Sequence, residues 1–357
     1  MPDNQLTEQS SAAPSRSMLD AQYAALHDSA GVRLCSERTA IRMSGDDRVA
    51  FLHGMCSNDI KGLETRSLVP ALFLTEHAHV IADANVWAMP DALLLETEST
   101  LWPAIRAHLD RFLVADDVEF EESAEGVQYA SVIRIDGPKA ADAVSAAFGQ
   151  PSALTGAWRF IETADGGVLV AQVTRWGAPA YTLLAESGAA SELVNRIAAS
   201  ASGIGARQVG NEAAEVLRVE SGTVRVGVDT GEKTIALEAR MESAISFNKG
   251  CYIGQETVER ATARGAIKRR LMGLKIDGNR APAPGARVLL DGREVGALTS
   301  PVFSPRFGVL ALAILHHSAW TAGTRVSIRE PGAEMSALVS DLPFWAGLSG
   351  AIGTSGD

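Results

Sequence analysis

The sequence feature that most constrains the fold is a unit of three strands and one helix that occurs twice, about ninety residues apart. In the first copy the residue pattern predicts three strands and a helix with Ser99 as its N-cap, at 71–75, 79–87, 92–96 and 100–112. In the second copy it predicts strands at 159–163, 167–174 and 181–185 and a helix at 189–199. This repetition predicts a duplicated α+β architecture.

The C-terminal part of the chain has a different pattern. Short strands separated by Gly and Pro turns are predicted at 271–276, 287–290, 296–299, 310–315 and 325–328. Such spacing is typical of a small antiparallel barrel. We therefore expect an α+β fold with a disordered tail at 1–17, a body of two α+β subdomains at 18–265, a barrel at 267–346 and a flexible tail at 347–357.

The composition argues against several classes of protein. The chain has 32 basic and 43 acidic residues and a net charge of −11, which argues against broad nucleic-acid binding. No stretch approaches the roughly 18 apolar residues that span a membrane. The three cysteines form no Cys-x-x-Cys pair, so we expect a cytoplasmic protein that has no metal or iron–sulfur site of its own.

One cysteine lies in an unusual stretch, because residues 247–256 read Phe-Asn-Lys-Gly-Cys-Tyr-Ile-Gly-Gln-Glu. A tight turn at Gly250, followed by a helix that begins near Gly254, would place Cys251 just before a helix N-terminus. The helix dipole and Lys249 would both favour a thiolate there. A cysteine packed in a loop as a small hydrophobe is the alternative, and the residues alone leave both open.

This stretch resembles the signature Lys-Gly-Cys-Tyr/Phe-Ile/Val-Gly-Gln-Glu of the YgfZ-type folate-binding proteins, relatives of the glycine-cleavage T-protein, and it matches at every position. The resemblance runs from about residue 19 to residue 345. It implies a central hole that takes tetrahydrofolate or a one-carbon derivative. It also implies an accessory factor for assembly or repair of iron–sulfur enzymes, with iron–sulfur proteins or their assembly machinery as partners. The alternatives are an aminomethyltransferase or demethylase that moves a one-carbon unit onto tetrahydrofolate, and a scaffold that has lost folate.

The resemblance gives two acidic residues a role. The segment from Arg218 to Gly222 resembles an Arg-x-Glu-x-Gly pattern whose glutamate holds the pterin, so it implies that Glu220 accepts two ring hydrogen bonds. Asp83 resembles the second of two adjacent aspartates beside the one-carbon nitrogens of folate, and Ala82 replaces the first, which argues against methylene transfer. On the residues alone, Glu220 is a solvated glutamate at a helix end and Asp83 an exposed strand aspartate.

The remaining candidate residues follow from the same resemblance. Cys251 is expected to act with Lys249 and Asp83, as a nucleophile or as a transient iron ligand. Folate contacts are expected from four further polar residues, Asn58, Tyr252, Gln255 and Arg260. Asn58 is otherwise a helix end, and Arg260 belongs to a basic run that would meet the folate carboxylates or form a solvated face. Asn211 is the predicted N-cap of the helix that reaches Gly222.

Overall fold

The computed structural model describes residues 16–122, 129–149, 158–164, 167–264 and 267–345. In these residues the chain forms two sheets with flanking helices, followed by a closed six-stranded barrel, so the predicted fold class is confirmed. The expected tails at 1–17 and 347–357 lie outside the described residues, except that Arg16 and Ser17 begin the first helix. No helix of the described residues is long and apolar enough to cross a membrane.

The elements before the barrel follow one another in a mixed order. They are α1 (Arg16–Asp28), β1 (Gly31–Leu34), β2 (Arg38–Ser44), α2 (Arg48–Met55), β3 (Leu68–Leu74), β4 (Val80–Ala88), β5 (Leu93–Glu98), α3 (Trp102–Asp110), β6 (Glu119–Glu121), β7 (Ser131–Asp136), α4 (Ala140–Phe148), β8 (Arg159–Glu162), β9 (Val168–Arg175), β10 (Ala178–Ala185), α5 (Ala190–Ser200), β11 (Arg207–Gln208), α6 (Asn211–Ser221) and α7 (Gln255–Arg264).

The first sheet has the order β3-β4-β5-β2-β6, and its neighbouring strands are antiparallel. Along β4 the residues Ala82, Ala84 and Val86 join the core that α2 and α3 cover. Because successive strand residues point to opposite faces, Asp83 and Asn85 lie on the other face. The predicted strands and helix of the first copy are present, although Leu101 and not Ser99 precedes the helix.

The second sheet has the order β11-β1-β7-β10-β9-β8, and α4 and α5 cover one of its faces. The three strands and the helix predicted for the second copy correspond to β8, β9, β10 and α5. The pairing of β11 with β1 is parallel, and the other neighbouring strands pair antiparallel.

The uncovered faces of the two sheets pack against each other. Trp87 of β4 and Phe160 of β8 lie in one buried cluster, with ring centroids 5.2 Å apart. An isolated bridge between Ser67 and Arg159 joins the two sheets through their backbones. Burying each aromatic side chain contributes about 1.5–3 kcal/mol, so this contact fixes the two copies of the repeat relative to each other.

The barrel follows α7 and consists of β12 (Arg269–Ile276), β13 (Arg287–Leu290), β14 (Arg293–Ser304), β15 (Gly308–His316), β16 (Arg325–Glu330) and β17 (Ala333–Ser340). It closes in the order β12-β15-β14-β13-β16-β17. Five of these strands are predicted from the sequence. The closing strand β17 is missed because Val339 is its one β-branched residue and it has no aromatic residue, and only Ala337 and Val339 are fully buried.

Helix α6 connects the body to the barrel. Ala213 and Leu217 pack against α1, while Val219 packs on Leu310 and Leu312 of the barrel. The predicted cap is wrong by one residue, since Gly210 is the N-cap and Asn211 is the first residue of the helix. The Asn211 side chain instead accepts a hydrogen bond from Arg33 Nη1 at 2.7 Å.

Candidate functional site

A cavity of ≈ 410 Å³ lies where the two sheets meet α6 and residues 223–226. Small-molecule sites typically have volumes of about 300–1,000 Å³. Among the described residues, six arginines line this one, Arg33, Arg38, Arg134, Arg175, Arg218 and Arg225. Five acidic residues of the same described part accompany them, Glu37, Asp83, Glu98, Glu212 and Glu215. The cavity is therefore polar and densely charged, with basic and acidic groups in nearly equal number.

Glu96 organises one wall of the cavity from behind. Its side chain is fully buried and accepts hydrogen bonds from Arg38 Nε and Asn85 Nδ2, both at 2.5 Å. Burial raises the pKa of Glu96, but the charges of Arg38 and Arg134 and these hydrogen bonds outweigh it and hold the pKa at about 2. An ionised Glu96 thus fixes the side chains of Arg38 and Asn85, which line the cavity.

Asp83 faces the cavity with a free carboxylate. No side chain of the described residues makes a hydrogen bond or an ion pair with it, and only its backbone oxygen accepts one, from Thr97 at 2.7 Å. Burial raises the pKa of Asp83, Arg38 opposes the shift, and the charges of Glu98 and Glu96 add to it. Its carboxyl group is therefore open to a ligand and more readily protonated than an exposed aspartate.

Two further arginines join the cavity to the rest of the molecule. Arg218 donates to Asp229 Oδ2 at 2.7 Å and to Ser300 Oγ of β14 at 2.6 Å. Arg225 donates to both carboxylate oxygens of Glu98, the shorter distance being 2.9 Å. Since a charged donor and its acceptor fix each other's position, these pairs set the spacing between the first sheet, α6 and the barrel.

Glu220 is not among the described residues that line the cavity. It is fully buried and accepts hydrogen bonds from Tyr23 Oη at 2.7 Å and Ser304 Oγ at 2.6 Å. His27 Nε2 lies 3.0 Å from its other oxygen. The solvated alternative is therefore wrong, and the pterin role stays a prediction that requires these contacts to open.

Lys249 lies at a different place, beneath the loop that follows α2. Its ammonium group donates to three backbone carbonyls, those of His53, of Cys56 at 2.8 Å and of Asn58 at 2.8 Å. Burial lowers the pKa of Lys249. The Asn58 side chain is also used locally, since it donates to the Pro70 carbonyl at 2.7 Å. The contacts observed for both residues are internal ones that hold this loop in place.

Cys251 is exposed, whereas Cys35 and Cys56 are buried. It lies four residues before α7, which begins at Gln255, and it is not among the described residues that line the cavity. The expected action of Cys251 together with Asp83, which does line the cavity, stays a prediction. Among the residues that the structure describes, no three His, Cys, Asp or Glu side chains come together as a metal site.

The turn before α7 is made by a different glycine from the one predicted. Gly254 has φ +90°, and a Cβ added there would lie 2.7 Å from the Thr75 carbonyl oxygen. Gly250 lies outside the left-handed region, and its nearest neighbour for an added Cβ is His53 Nε2 at 4.0 Å. The expectation of a sharp turn at Gly250 is therefore wrong, since only Gly254 requires glycine.

The other predicted folate contacts lie on or beside α7. Tyr252 is buried against the Lys249 ammonium, 5.0 Å from the ring centroid, and burial raises its pKa to about 12. Gln255 bonds Glu259 at 2.7 Å, and Arg260 pairs with Glu256. None of these residues is among those described as lining the cavity.

Sequence reasoning found Asp83 but missed most of the cavity wall. Arg38, Arg134 and Glu96 lie in strands whose pattern predicts only alternation between two faces. The two-residue spacing of polar side chains does indicate a polar face, since residues 83 and 85 share one face of β4 and residues 96 and 98 share one face of β5. Which face is open depends on how the second sheet packs, and no local pattern states that.

Comparison with known proteins agrees with this architecture. The family of GCVT N-terminal domains matches residues 6–249, and the family of glycine cleavage T-protein C-terminal barrel domains matches residues 269–345.

Individual relatives match along most of their length. A putative chloroplastic transferase of Arabidopsis thaliana is 30% identical over 315 residues, covering 86% of this chain and 69% of that protein. An aminomethyltransferase of Thermotoga maritima is 26% identical over 334 residues, covering 90% of this chain and 88% of that protein. The crystal structure of the glycine cleavage system aminomethyltransferase T of Bartonella henselae superposes with a TM-score of 0.79 at 20% identity. The superposition covers 91% of this chain and 89% of that one.

Proposed function

The chain belongs to the glycine cleavage T-protein family, and from that premise we propose that its central cavity binds a reduced folate, tetrahydrofolate or a one-carbon derivative of it. Proteins of this family use tetrahydrofolate as a substrate. The observation that carries the proposal is Asp83, whose carboxylate faces the cavity without a partner among the described residues. Reduced folates present ring N–H groups, and a carboxylate accepts such donors.

The polar wall supports the same proposal. Asn85 also lines the cavity, and its amide nitrogen is held by Glu96, which leaves its oxygen available as a second acceptor. The indole of Trp176 adds an aromatic surface to the lining. A few fixed polar groups in a cavity of this size are the usual means of orienting a small molecule.

Binding is tested by anaerobic titration calorimetry with tetrahydrofolate. We expect the wild type to bind and the Asp83→Asn variant to bind at least about tenfold more weakly, the effect of losing one charged hydrogen bond. Asp277→Asn, a change at an exposed aspartate of the barrel, is the matched control and should leave affinity unchanged. Equal affinity of wild type and Asp83→Asn would contradict the assignment of Asp83, and absence of binding by the wild type would contradict the proposed function.

We further propose that the protein acts as a folate-dependent accessory factor for iron–sulfur enzymes, similar to the YgfZ-type proteins. Two features support this over aminomethyl transfer. Ala82, which is fully buried in the core, stands where the transferase pattern has the first of two adjacent aspartates, so that pair of acids is incomplete in this chain. The exposed Cys251 stands where T-proteins usually carry an acidic residue.

Aminomethyl transfer is the second candidate, because the relatives named above are aminomethyltransferases and a putative transferase that align along most of this chain. The two functions give opposite results with an aminomethylated lipoyl carrier and tetrahydrofolate. The accessory role predicts no ammonia above background, together with loss of iron–sulfur enzyme activity in cells that carry Cys251→Ser. Enzyme-dependent ammonia release would instead establish the transferase.

A further inference from the structure

The arginines of the cavity wall are almost all neutralised within the protein. Five of the six have a carboxylate oxygen within 2.9 Å, in the pairs Arg33–Glu37, Arg38–Glu96, Arg175–Asp136, Arg218–Asp229 and Arg225–Glu98. Each of these pairs places a full opposite charge against the guanidinium, which is the usual condition for burying an arginine.

Arg134 is the exception. Its nearest carboxylate contact is 3.4 Å from Nη2 to Glu96 Oε1, and that oxygen already binds Arg38 at 2.5 Å. Its Nε is buried and has no hydrogen-bond partner among the described residues. The side chain is 15% exposed, so bulk water cannot satisfy all of its five donors.

The neighbours of Arg134 make its charge harder to bury. In the sheet it lies directly opposite Arg33 on β1 and Thr182 on β10, and Thr182 accepts a hydrogen bond from Arg175. Like charges on opposite strand positions destabilise a sheet. Burial, together with the charges of Arg175 and Arg38, lowers the pKa of Arg134 to about 10. The fold therefore keeps a cation at this point of the wall that nothing described in the protein fully pairs.

We propose that Arg134 is the centre of an anion subsite in the cavity and binds a carboxylate group of the ligand. The flat guanidinium matches a planar carboxylate through two parallel hydrogen bonds, and the closely paired neighbours leave Arg134 as the donor that a ligand would engage. The assignment rests on the proposed function for the identity of that carboxylate, which in a reduced folate belongs to the glutamate tail.

This subsite differs from the one expected from the sequence. Arg260 was the candidate for the folate carboxylates, but its side chain is 56% exposed on α7 and pairs with Glu256. Arg134, by contrast, lines the same cavity as Asp83, and its charge lowers the pKa of Asp83.

The test compares ligands with and without the tail. Binding of tetrahydrofolate and of 6-methyltetrahydropterin, which has no carboxylate, is measured for the wild type, Arg134→Gln and Arg134→Lys. Arg287→Gln, a change at an exposed arginine of β13, is the control. We expect Arg134→Gln to weaken the binding of tetrahydrofolate at least about tenfold and the binding of the tail-less pterin less than about twofold. Arg134→Lys should also weaken tetrahydrofolate, because a lysine lacks the planar fork.

The melting temperatures of the ligand-free variants distinguish a ligand-binding role of Arg134 from a purely structural one, because the two roles predict different changes. Removing a buried and incompletely paired charge should leave the melting temperature of Arg134→Gln equal to that of the wild type or raise it. A lower melting temperature, with both ligands weakened alike, would show that Arg134 only supports the fold and would overturn the subsite. Unchanged tetrahydrofolate affinity in Arg134→Gln would also overturn it.

A third arm separates the subsite from the proposed function. If the wild type binds neither tetrahydrofolate nor the pterin, p-aminobenzoylglutamate and inorganic phosphate serve as anion probes. Binding of p-aminobenzoylglutamate that is lost in Arg134→Gln would support the subsite while the folate function fails. Binding of phosphate alone, or of neither probe, would overturn the carboxylate subsite.

Discussion

At the residue scale, Glu96 shows how this protein keeps an arginine-rich wall in place. It is fully buried, and its two oxygens bind Arg38 and Asn85. A buried carboxylate without partners would become protonated, but the charges of Arg38 and Arg134 hold the pKa of Glu96 at about 2 against the effect of burial. The wall is thus stabilised by charge pairing that must remain ionised.

This pairing predicts a loss of stability in acid. Because the pKa of Glu96 is lower in the folded than in the unfolded protein, its stabilisation is complete above the unfolded value of about 4.3 and is lost as the pH falls towards about 2. Glu96→Gln should lower the free energy of unfolding near neutral pH by on the order of 3 kcal/mol. The difference from wild type should shrink between about pH 5 and about pH 2.5 in urea unfolding.

The matched control for this prediction is Glu121→Gln. Glu121 pairs with Arg42 at 2.6 Å but is 53% exposed, and an exposed pair of this kind contributes about 0–1 kcal/mol. If Glu96→Gln and Glu121→Gln had equal effects, or if the effect of Glu96→Gln did not change in acid, the role given to Glu96 would be contradicted.

The cysteines give a second prediction at this scale. Cys251 is exposed, Cys35 and Cys56 are each 1% exposed, and burial raises the pKa of Cys35 and that of Cys56, the latter to about 11. Since the thiolate is the nucleophile, iodoacetamide should label Cys251 in the native protein and all three cysteines only after unfolding. Mass spectrometry of wild type and Cys251→Ser checks this, and native labelling of Cys35 or Cys56 at the rate of Cys251 would refute it.

At the element scale, the turn into α7 depends on one backbone conformation. Gly254 has φ +90°, and a Cβ added there would lie 2.7 Å from the Thr75 carbonyl oxygen, where the chain enters α7 and packs on the first sheet. Gly254→Ala should lower the free energy of unfolding by on the order of 2 kcal/mol, because alanine is strained at this φ and its Cβ would clash. Urea unfolding of Gly254→Ala measures this loss.

Gly250→Ala, four residues earlier, is the matched control. Gly250 lies outside the left-handed region and an added Cβ meets nothing closer than 4.0 Å, so this variant should stay within about 1 kcal/mol of wild type. Equal destabilisation by both variants would contradict the assignment of the turn to Gly254.

The sequence predicts elements well where apolar segments are bounded by turn residues. Both copies of the repeat and five barrel strands have such segments, and all of them are present. The closing strand β17 has the residues Ala-Glu-Met-Ser-Ala-Leu-Val-Ser, among which only Val339 is of the β-branched or aromatic type that favours strands. Its pairing with β12 and β16 is a consequence of barrel closure, which a local pattern does not contain.

Local sequence patterns are limited in the same way when they are used to predict single residues of the candidate site. Asp83 is named by the family resemblance, and strand alternation agrees with it, since an odd-numbered polar residue among buried even-numbered ones faces away from the core of its sheet. Arg218 and Glu220 are two positions apart in α6, about 200° around the helix, so they point to opposite sides. A pattern that names both residues therefore cannot tell which of them meets the cavity, and the structure places Arg218 there.

At the scale of the whole molecule, Glu220 lies where three parts of the chain meet. Tyr23 and His27 reach it from α1, Ser304 reaches it from β14 of the barrel, and Glu220 itself is on α6. Its backbone oxygen also accepts a hydrogen bond from Phe344 at 2.9 Å. Burial and the contact with Glu220 raise the pKa of Tyr23, so Tyr23 remains the donor. One carboxylate thus links α1, α6 and the barrel.

Two different outcomes follow for Glu220→Ala. If Glu220 mainly joins the three parts, the variant should lose on the order of 3 kcal/mol of unfolding free energy, because two buried hydroxyl groups lose their acceptor, while Asp83 and Arg134 still bind folate. If Glu220 holds the pterin, as the resemblance implies, folate affinity should fall while stability changes little. We expect the first outcome, since the observed partners of Glu220 are internal. Glu192→Ala, a change at an exposed position on α5 outside the cavity lining, is the control, and calorimetric titration beside urea unfolding of both variants distinguishes the outcomes.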